Sequence, residues 1–203
     1  MNAHVPTMTG NRAASAEPDD PGPSRSASAD DQPPEPEIDL GGEAASRLDL
    51  SWLRVNLRRA VDAMRQPVRE VNVAIVHDDA MSMLHERHAN IAGTTDVLTF
   101  PRESAGDTGG IAADIAVCFD EAARRAAQFG HSVEREILLY ILHGLLHCAG
   151  HDDHDEAAYA AMHVEEDRIL SEIGVGRTFA APSEATGHDA ARKTVRRDRG
   201  NEG

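Results

Sequence analysis

The sequence predicts an α+β fold: a small sheet, mainly of three to four strands, flanked by helices. Three observations predict it. Short segments of alternating apolar residues interleave with segments of helical period. One helix, apolar over most of its surface, ends in the run H-G-L-L-H-C-A-G-H-D-D-H at positions 143–154. The patterned region is bounded on both sides by stretches that show neither period.

Residues 1–45 are rich in Pro, Ser, Ala, Gly and acidic side chains, with almost no apolar periodicity, and read as a disordered acidic tail. Residues 46–177 read as the folded domain and 178–203 as a second disordered tail. Within the domain, Leu50, Leu53, Leu57, Ala60, Val61 and Met64 recur at helical spacing, and Gln66-Pro67 closes that helix. Val71, Val73 and Ile75 alternate as a strand does. Asp78 or Asp79 caps a short helix carrying Met81, Leu84 and His88. After the turn at Ala92-Gly93-Thr94, residues Asp96 to Phe100 form a second strand, stopped by Pro101. A Gly-rich loop at 106–110 leads to a third strand, Asp114 to Cys118. Asp120 caps a helix through Gln128, and Gly130 ends it. Ser132 caps the next, which buries Ile137, Leu138, Ile141, Leu142, Leu145 and Leu146; a last helix from Glu156 to Ile173 presents Met162, Ile169, Leu170 and Ile173 to the core.

At 203 residues the chain holds one ordinary domain, and with only 3% aromatic residues its core must be aliphatic. No run approaches the roughly 20 apolar residues of a membrane span, and the acidic, Pro-rich start is unlike a secretory leader, so a cytoplasmic protein with no membrane partner is expected. Cys118 and Cys148 are too few for a disulfide framework, and Cys148 reads as a packed thiol. The net charge of −15 excludes an indiscriminate nucleic-acid binder. The tails carry −7 and +1, leaving the domain acidic, so a polyanion would have to meet a local basic patch. Arg54, Arg58 and Arg59, close together on one helix, form such a patch or simply a solvated surface.

His143 and His147 are four residues apart, which puts both imidazoles on one helix face and within reach of one cation. Gly150 then ends the helix, and the chain turns back carrying His151, Asp152, Asp153 and His154, any of which can complete a three-ligand site with a position left open. This is a zincin-like metal helix, although the bland alternative is a histidine-rich helix end. In zinc peptidases of pattern H-E-x-x-H the general base follows the first ligand; here that position is Gly144, which weighs against a peptidase.

These residues, together with Thr95-Asp96-Val97-Leu98-Thr99-Phe100-Pro101 and Ala113-Asp114-Ile115-Ala116 upstream, resemble the YbeY family of metal-dependent endoribonucleases. The resemblance spans roughly Leu50 to Ile173. It implies a single-strand-specific RNase in small-subunit (16S) rRNA maturation and ribosome quality control, with one zinc ion and with precursor rRNA and the ribosome, not DNA, as partners. The family pattern H-G-x-L-H-L-x-G-Y-D-H places its third ligand ten residues after the first, which is Asp153 here; His154 falls one residue late and is the competing ligand. A carboxylate in place of a third imidazole makes a harder divalent cation acceptable too. No side chain is assigned as catalytic, the chemistry falling to metal-bound water. The family's arginine before T-D-V-L falls at Ala89 here, and Arg87, two residues earlier, is the candidate to replace it. Thr95 and Asp96 are implied to border the substrate groove, whereas His85, His88, His131 and His163 read as surface or capping histidines and Asp114 as an acceptor for backbone donors. The alternative functions are a metallopeptidase and a ribosome-assembly factor with a structural metal.

Overall fold

A computed structural model describes residues 35–102 and 109–178. The expectations for residues 1–34 and 179–203, and for the Gly-rich loop up to 108, lie outside the described residues. The elements run β1 (Glu37–Gly41), a 3-10 turn (Ala45–Arg47), α1 (Leu50–Ala63), β2 (Val68–Val76), α2 (Asp78–Ala89), β3 (Val97–Pro101), β4 (Ile111–Cys118), α3 (Phe119–Phe129), α4 (Val133–Cys148) and α5 (Glu156–Glu172). The α+β class with helices flanking a four-stranded sheet is as expected.

The sheet order is β1-β2-β4-β3; β1, β2 and β4 run parallel and β3 antiparallel on the far edge. Its register aligns Ile38 with Val71 and Ala113, and Leu40 with Val73 and Ile115. That face packs on Leu53, Leu57 and Ala60 of α1 and on the buried side of α4. The alternate positions Asp39, Asn72 and Asp114 line up on the opposite face. β4, paired on both sides, is apolar almost throughout, as an interior strand must be. α2 covers the second face near the strand ends, where Met81 meets Ala116 and Cys118.

β1 corrects the tail boundary. Residues 37–41 fall inside the segment expected to be disordered, yet Ile38 and Leu40 are buried and the backbone ladders onto β2. Five residues with two apolar side chains at period 2 suffice for an edge strand, because the neighbouring strand supplies the ladder. The segment E-I-D-L-G carried that alternation, hidden in acidic, Pro-rich surroundings.

Helix starts differ in detail from expectation. Asp49 caps α1 and Ser132 caps α4 through their side chains. Asp120 does not cap α3, whose N-cap is Cys118; its carboxylate instead takes the Asp78 N–H and His77 Nδ1, each at 3.0 Å. Nearby, Arg124 grips Asp78 with two N–H groups at 2.7 and 2.9 Å, and the Cys118 thiol donates to the same carboxylate at 3.1 Å. The Arg124 guanidinium holds the Asp78 carboxyl down at about 2, while burial pushes the Cys118 thiol up to about 11. This cluster joins the starts of α2 and α3 at the ends of two parallel strands. No helix of the described residues is long and apolar enough to cross a membrane.

Candidate metal centre

α4 is the rigid base of the site. Its buried stripe anchors it to the sheet, and His143 and His147 project from its last two turns, with side chains 12% and 34% exposed. The helix then ends in a Schellman turn: Gly150 N–H reaches the His147 carbonyl and His151 N–H the Leu146 carbonyl, both at 3.0 Å. Gly150 sits at φ 90°, a conformation that favours glycine. The turn delivers the His151 carbonyl to His147 Nδ1 at 3.1 Å.

Beyond it, the Asp152 carboxylate accepts the backbone N–H groups of Asp153 (2.7 Å) and His154 (3.2 Å). This local turn points the Asp153 side chain inward, 10% exposed, and leaves His154 in solvent at 86%. Asp155 then caps α5 through two further N–H groups. Asp153 oxygens lie 3.9 Å from Nε2 of each histidine. Donor atoms of His143, His147 and Asp153 lie within 4.8 Å of one another. Asp152, Asp153 and His154 form a second, more exposed group by the same measure, with His154 Nδ1 3.8 Å from the Asp153 carboxylate.

The hydrogen bonds decide which nitrogens are free. His143 Nδ1 donates to the Glu166 carboxylate at 2.8 Å, and His147 Nδ1 donates to the His151 carbonyl. Carboxylate and carbonyl oxygens only accept, so both Nδ1 atoms carry a proton; in the neutral imidazoles the two Nε2 atoms, 3.1 Å apart, are then the ones that present lone pairs. Two lone pairs and a carboxylate directed at one point repel each other unless a cation lies among them. That donor set fits a divalent metal.

Glu166, on α5, is 1% exposed. Its second oxygen takes His163 Nδ1 at 2.6 Å, and Tyr159 stands edge-on to the His163 ring. Burial alone would raise this carboxyl, but the hydrogen bonds from His143 and His163 outweigh it, and Glu166 ionises below the usual carboxylate value. Sequence reasoning missed Glu166 and misread His163, which is a half-buried partner of that carboxylate and not a surface or capping histidine. The only signal was their i,i+3 spacing on the last helix.

Other candidates are placed as follows. Arg87 is exposed in the last turn of α2, two residues before its end. Asp96 takes Val97 N–H and the Thr95 hydroxyl, so both residues are tied into the start of β3. Asp114 accepts the Asn72 side-chain amide at 2.9 Å and lies 3.3 Å from Arg102, a side-chain network where backbone donors were expected. His131 lies 3.2 Å from the buried Glu136, against the surface reading. His85 and His88 remain on α2 beside Gly93 and Phe100. Cys148 is a half-buried free thiol, its ionisation opposed by burial. At Gly144 a Cβ would collide with Thr99 Oγ1, so β3 lies against α4 just where a peptidase helix carries its glutamate.

The fold and the cluster define a class: a small α+β protein presenting two imidazoles and a carboxylate as hydrolytic metalloenzymes do. The sequence profile described as "Endoribonuclease YbeY" matches residues 46–174. The chain belongs to that family of endoribonucleases. Among curated relatives of the same description, that of Thermobifida fusca is 34% identical over 66% of this chain and 92% of its own. That of Salinibacter ruber is 33% identical over 69% and 93%. That of Micrococcus luteus is 34% identical over 56% and 76%. A solution structure from Thermotoga maritima, 25% identical, covers 81% of this chain and 99% of its own with a TM-score of 0.49.

Proposed function

We propose that His143, His147 and Asp153 hold one divalent cation, zinc in the first instance, and that the protein cuts single-stranded RNA in small-subunit (16S) rRNA maturation and ribosome quality control in the cytoplasm. The observation that carries the metal assignment is the pair of Nε2 atoms facing each other at 3.1 Å beside the Asp153 carboxylate, with both Nδ1 atoms already bonded to acceptors. A cation there supplies a Lewis acid for a scissile phosphodiester. The protein's own groups do the rest. Glu166 and the His151 carbonyl hold both Nδ1–H groups, so neither ring rotates away and both Nε2 atoms stay directed at the shared point. The exposure of His147 leaves one side of the cluster open to an RNA strand, and Arg87 is available from α2 to a phosphate. With a carboxylate as third ligand, manganese or another harder cation is an acceptable substitute for zinc. Precursor rRNA on the ribosome is the natural substrate for this family, and DNA is not expected to be cut.

The test is metal analysis of the wild type and of His147→Ala, Asp153→Ala and His154→Ala, followed by incubation with single-stranded RNA and with casein. One equivalent of metal in the wild type, its loss in the first two variants and its retention in the third are expected, with RNA cleaved and casein intact. Loss in His154→Ala alone would transfer the third ligand to that residue; casein cleavage without RNA cleavage would sink the function.

A further inference from the structure

We propose that the groove between the first turns of α1 and the start of α4 is a second contact surface for single-stranded RNA, apart from the metal cluster. The proposal rests on the endoribonuclease reading and deepens it. The groove encloses about 810 Å³. Trp52, Val55 and Arg59 enter it from α1 at positions i, i+3 and i+7, hence from one helix face. Arg135 faces them from α4, and the turn through Val175 closes the end.

The three basic residues that the sequence puts together on α1 are separated by the fold. Arg54 donates to the Ile38 carbonyl at 2.6 Å, and Arg58 lies 3.7 Å from Glu35. Arg59 is exposed, in no ion pair among the described residues, and lines the groove. Arg135 is held in place by the Gly176 and Arg177 carbonyls at 3.3 and 2.7 Å, neutral acceptors that leave its charge uncompensated by any ion pair among the described residues. Among the described residues Asp49 is the carboxylate lining the groove, and it caps α1 through the Trp52 N–H at 2.9 Å; the Glu134 carboxylate accepts the Asp49 N–H at 3.2 Å, so both acids sit at the α1 N-terminus, a turn or more from Arg59. Trp52 rests partly on the core and is half-buried, and Val55 beside it is 51% exposed. A fixed indole and two guanidinium groups are what a base and its flanking phosphates require, whatever the sequence.

An acidic domain that cuts a polyanion must meet it at local positive charge, and this groove provides it away from the carboxylates of the metal cluster. Arg135 and His143 are eight residues apart on α4, roughly 12 Å along its axis. A strand seated at the cluster therefore needs additional nucleotides to reach the groove, and substrate length becomes a determinant of affinity.

Trp52 is the only tryptophan in the chain, so its fluorescence reads the groove directly. Titrating the full-length protein with oligouridylate, checked for integrity afterwards, should quench that fluorescence saturably. Arg59→Glu should weaken the binding about tenfold and reduce the slope of log affinity against log salt by about 1, with Arg59→Ala intermediate. On a long single-stranded substrate KM should rise by a similar factor, more than kcat changes, with metal content equal to wild type and with the effect shrinking as the RNA is shortened. Absence of quenching, or quenching untouched by Arg59→Glu, overturns the proposal. Quenching by polyglutamate and not by RNA also overturns it and gives the groove to an acidic peptide. Quenching by RNA that Arg59→Glu weakens, in a protein that cleaves no RNA, supports the groove and defeats the nuclease reading separately.

Discussion

Replacing Glu166 with glutamine removes one charge from the middle of the site without changing its volume. The carboxylate accepts from His143 at 2.8 Å and from His163 at 2.6 Å and is 1% exposed, so water cannot take its place. The amide oxygen of glutamine can keep one of those bonds. Its NH2 group then faces the other imidazole and forces a change of tautomer there. If His143 is the one to change, its proton moves to Nε2 and blocks a ligand position; if it does not, its basicity still falls because a neutral acceptor replaces a charged one. Loss of such a partner lowers metal affinity about 10- to 100-fold, equivalent to roughly 1.4–2.7 kcal/mol. Competition against a chromophoric zinc chelator measures it, and RNA cleavage at rising zinc should recover towards wild type as the site refills. Unchanged zinc affinity in Glu166→Gln would refute the reasoning that this residue sets the tautomer of His143.

Asp78→Asn should flatten part of the acid denaturation profile followed by circular dichroism. The folded carboxyl is depressed from 3.8 to about 2, so its stabilisation is complete above 3.8 and is lost as pH falls to about 2. At neutral pH the variant should be less stable by only about 1 kcal/mol, since the Arg124 pair is partly solvated and screened. Gly144→Ala should destabilise the fold by about 1–3 kcal/mol through the Thr99 hydroxyl, and Thr99→Ala in the same chain should restore most of it in denaturant titrations. Truncation through Gly41 should lower stability by at least about 3 kcal/mol, because Ile38 and Leu40 leave the core together; an unchanged unfolding midpoint would deny β1 its place in the fold.

Features carried by one element were legible in the sequence. The period of α4 and the four-residue spacing of His143 and His147 both follow from a single helix, as does the stop at Gly150. The inward turn of Asp153 depended on Asp152 accepting two backbone N–H groups, a local geometry that residue types alone do not decide, and the family pattern selected that position. Contacts between elements were not legible. Glu166 meets His143 across 23 residues, through the packing of α5 on α4, and nothing in the α5 pattern distinguishes a buried carboxylate from a solvated one. β1 was obscured because two aliphatic side chains are too few for a periodicity argument, although they suffice once β2 offers its edge.

The close approach of β3 to α4 bears on how this scaffold can change its chemistry. A glutamate one step after the first histidine would run into the Thr99 side chain, which already occupies that space, so it needs a second substitution on β3 to make room. Attempts to convert this scaffold to amide hydrolysis would therefore begin on the edge strand, with a smaller side chain at position 99, before altering the active centre.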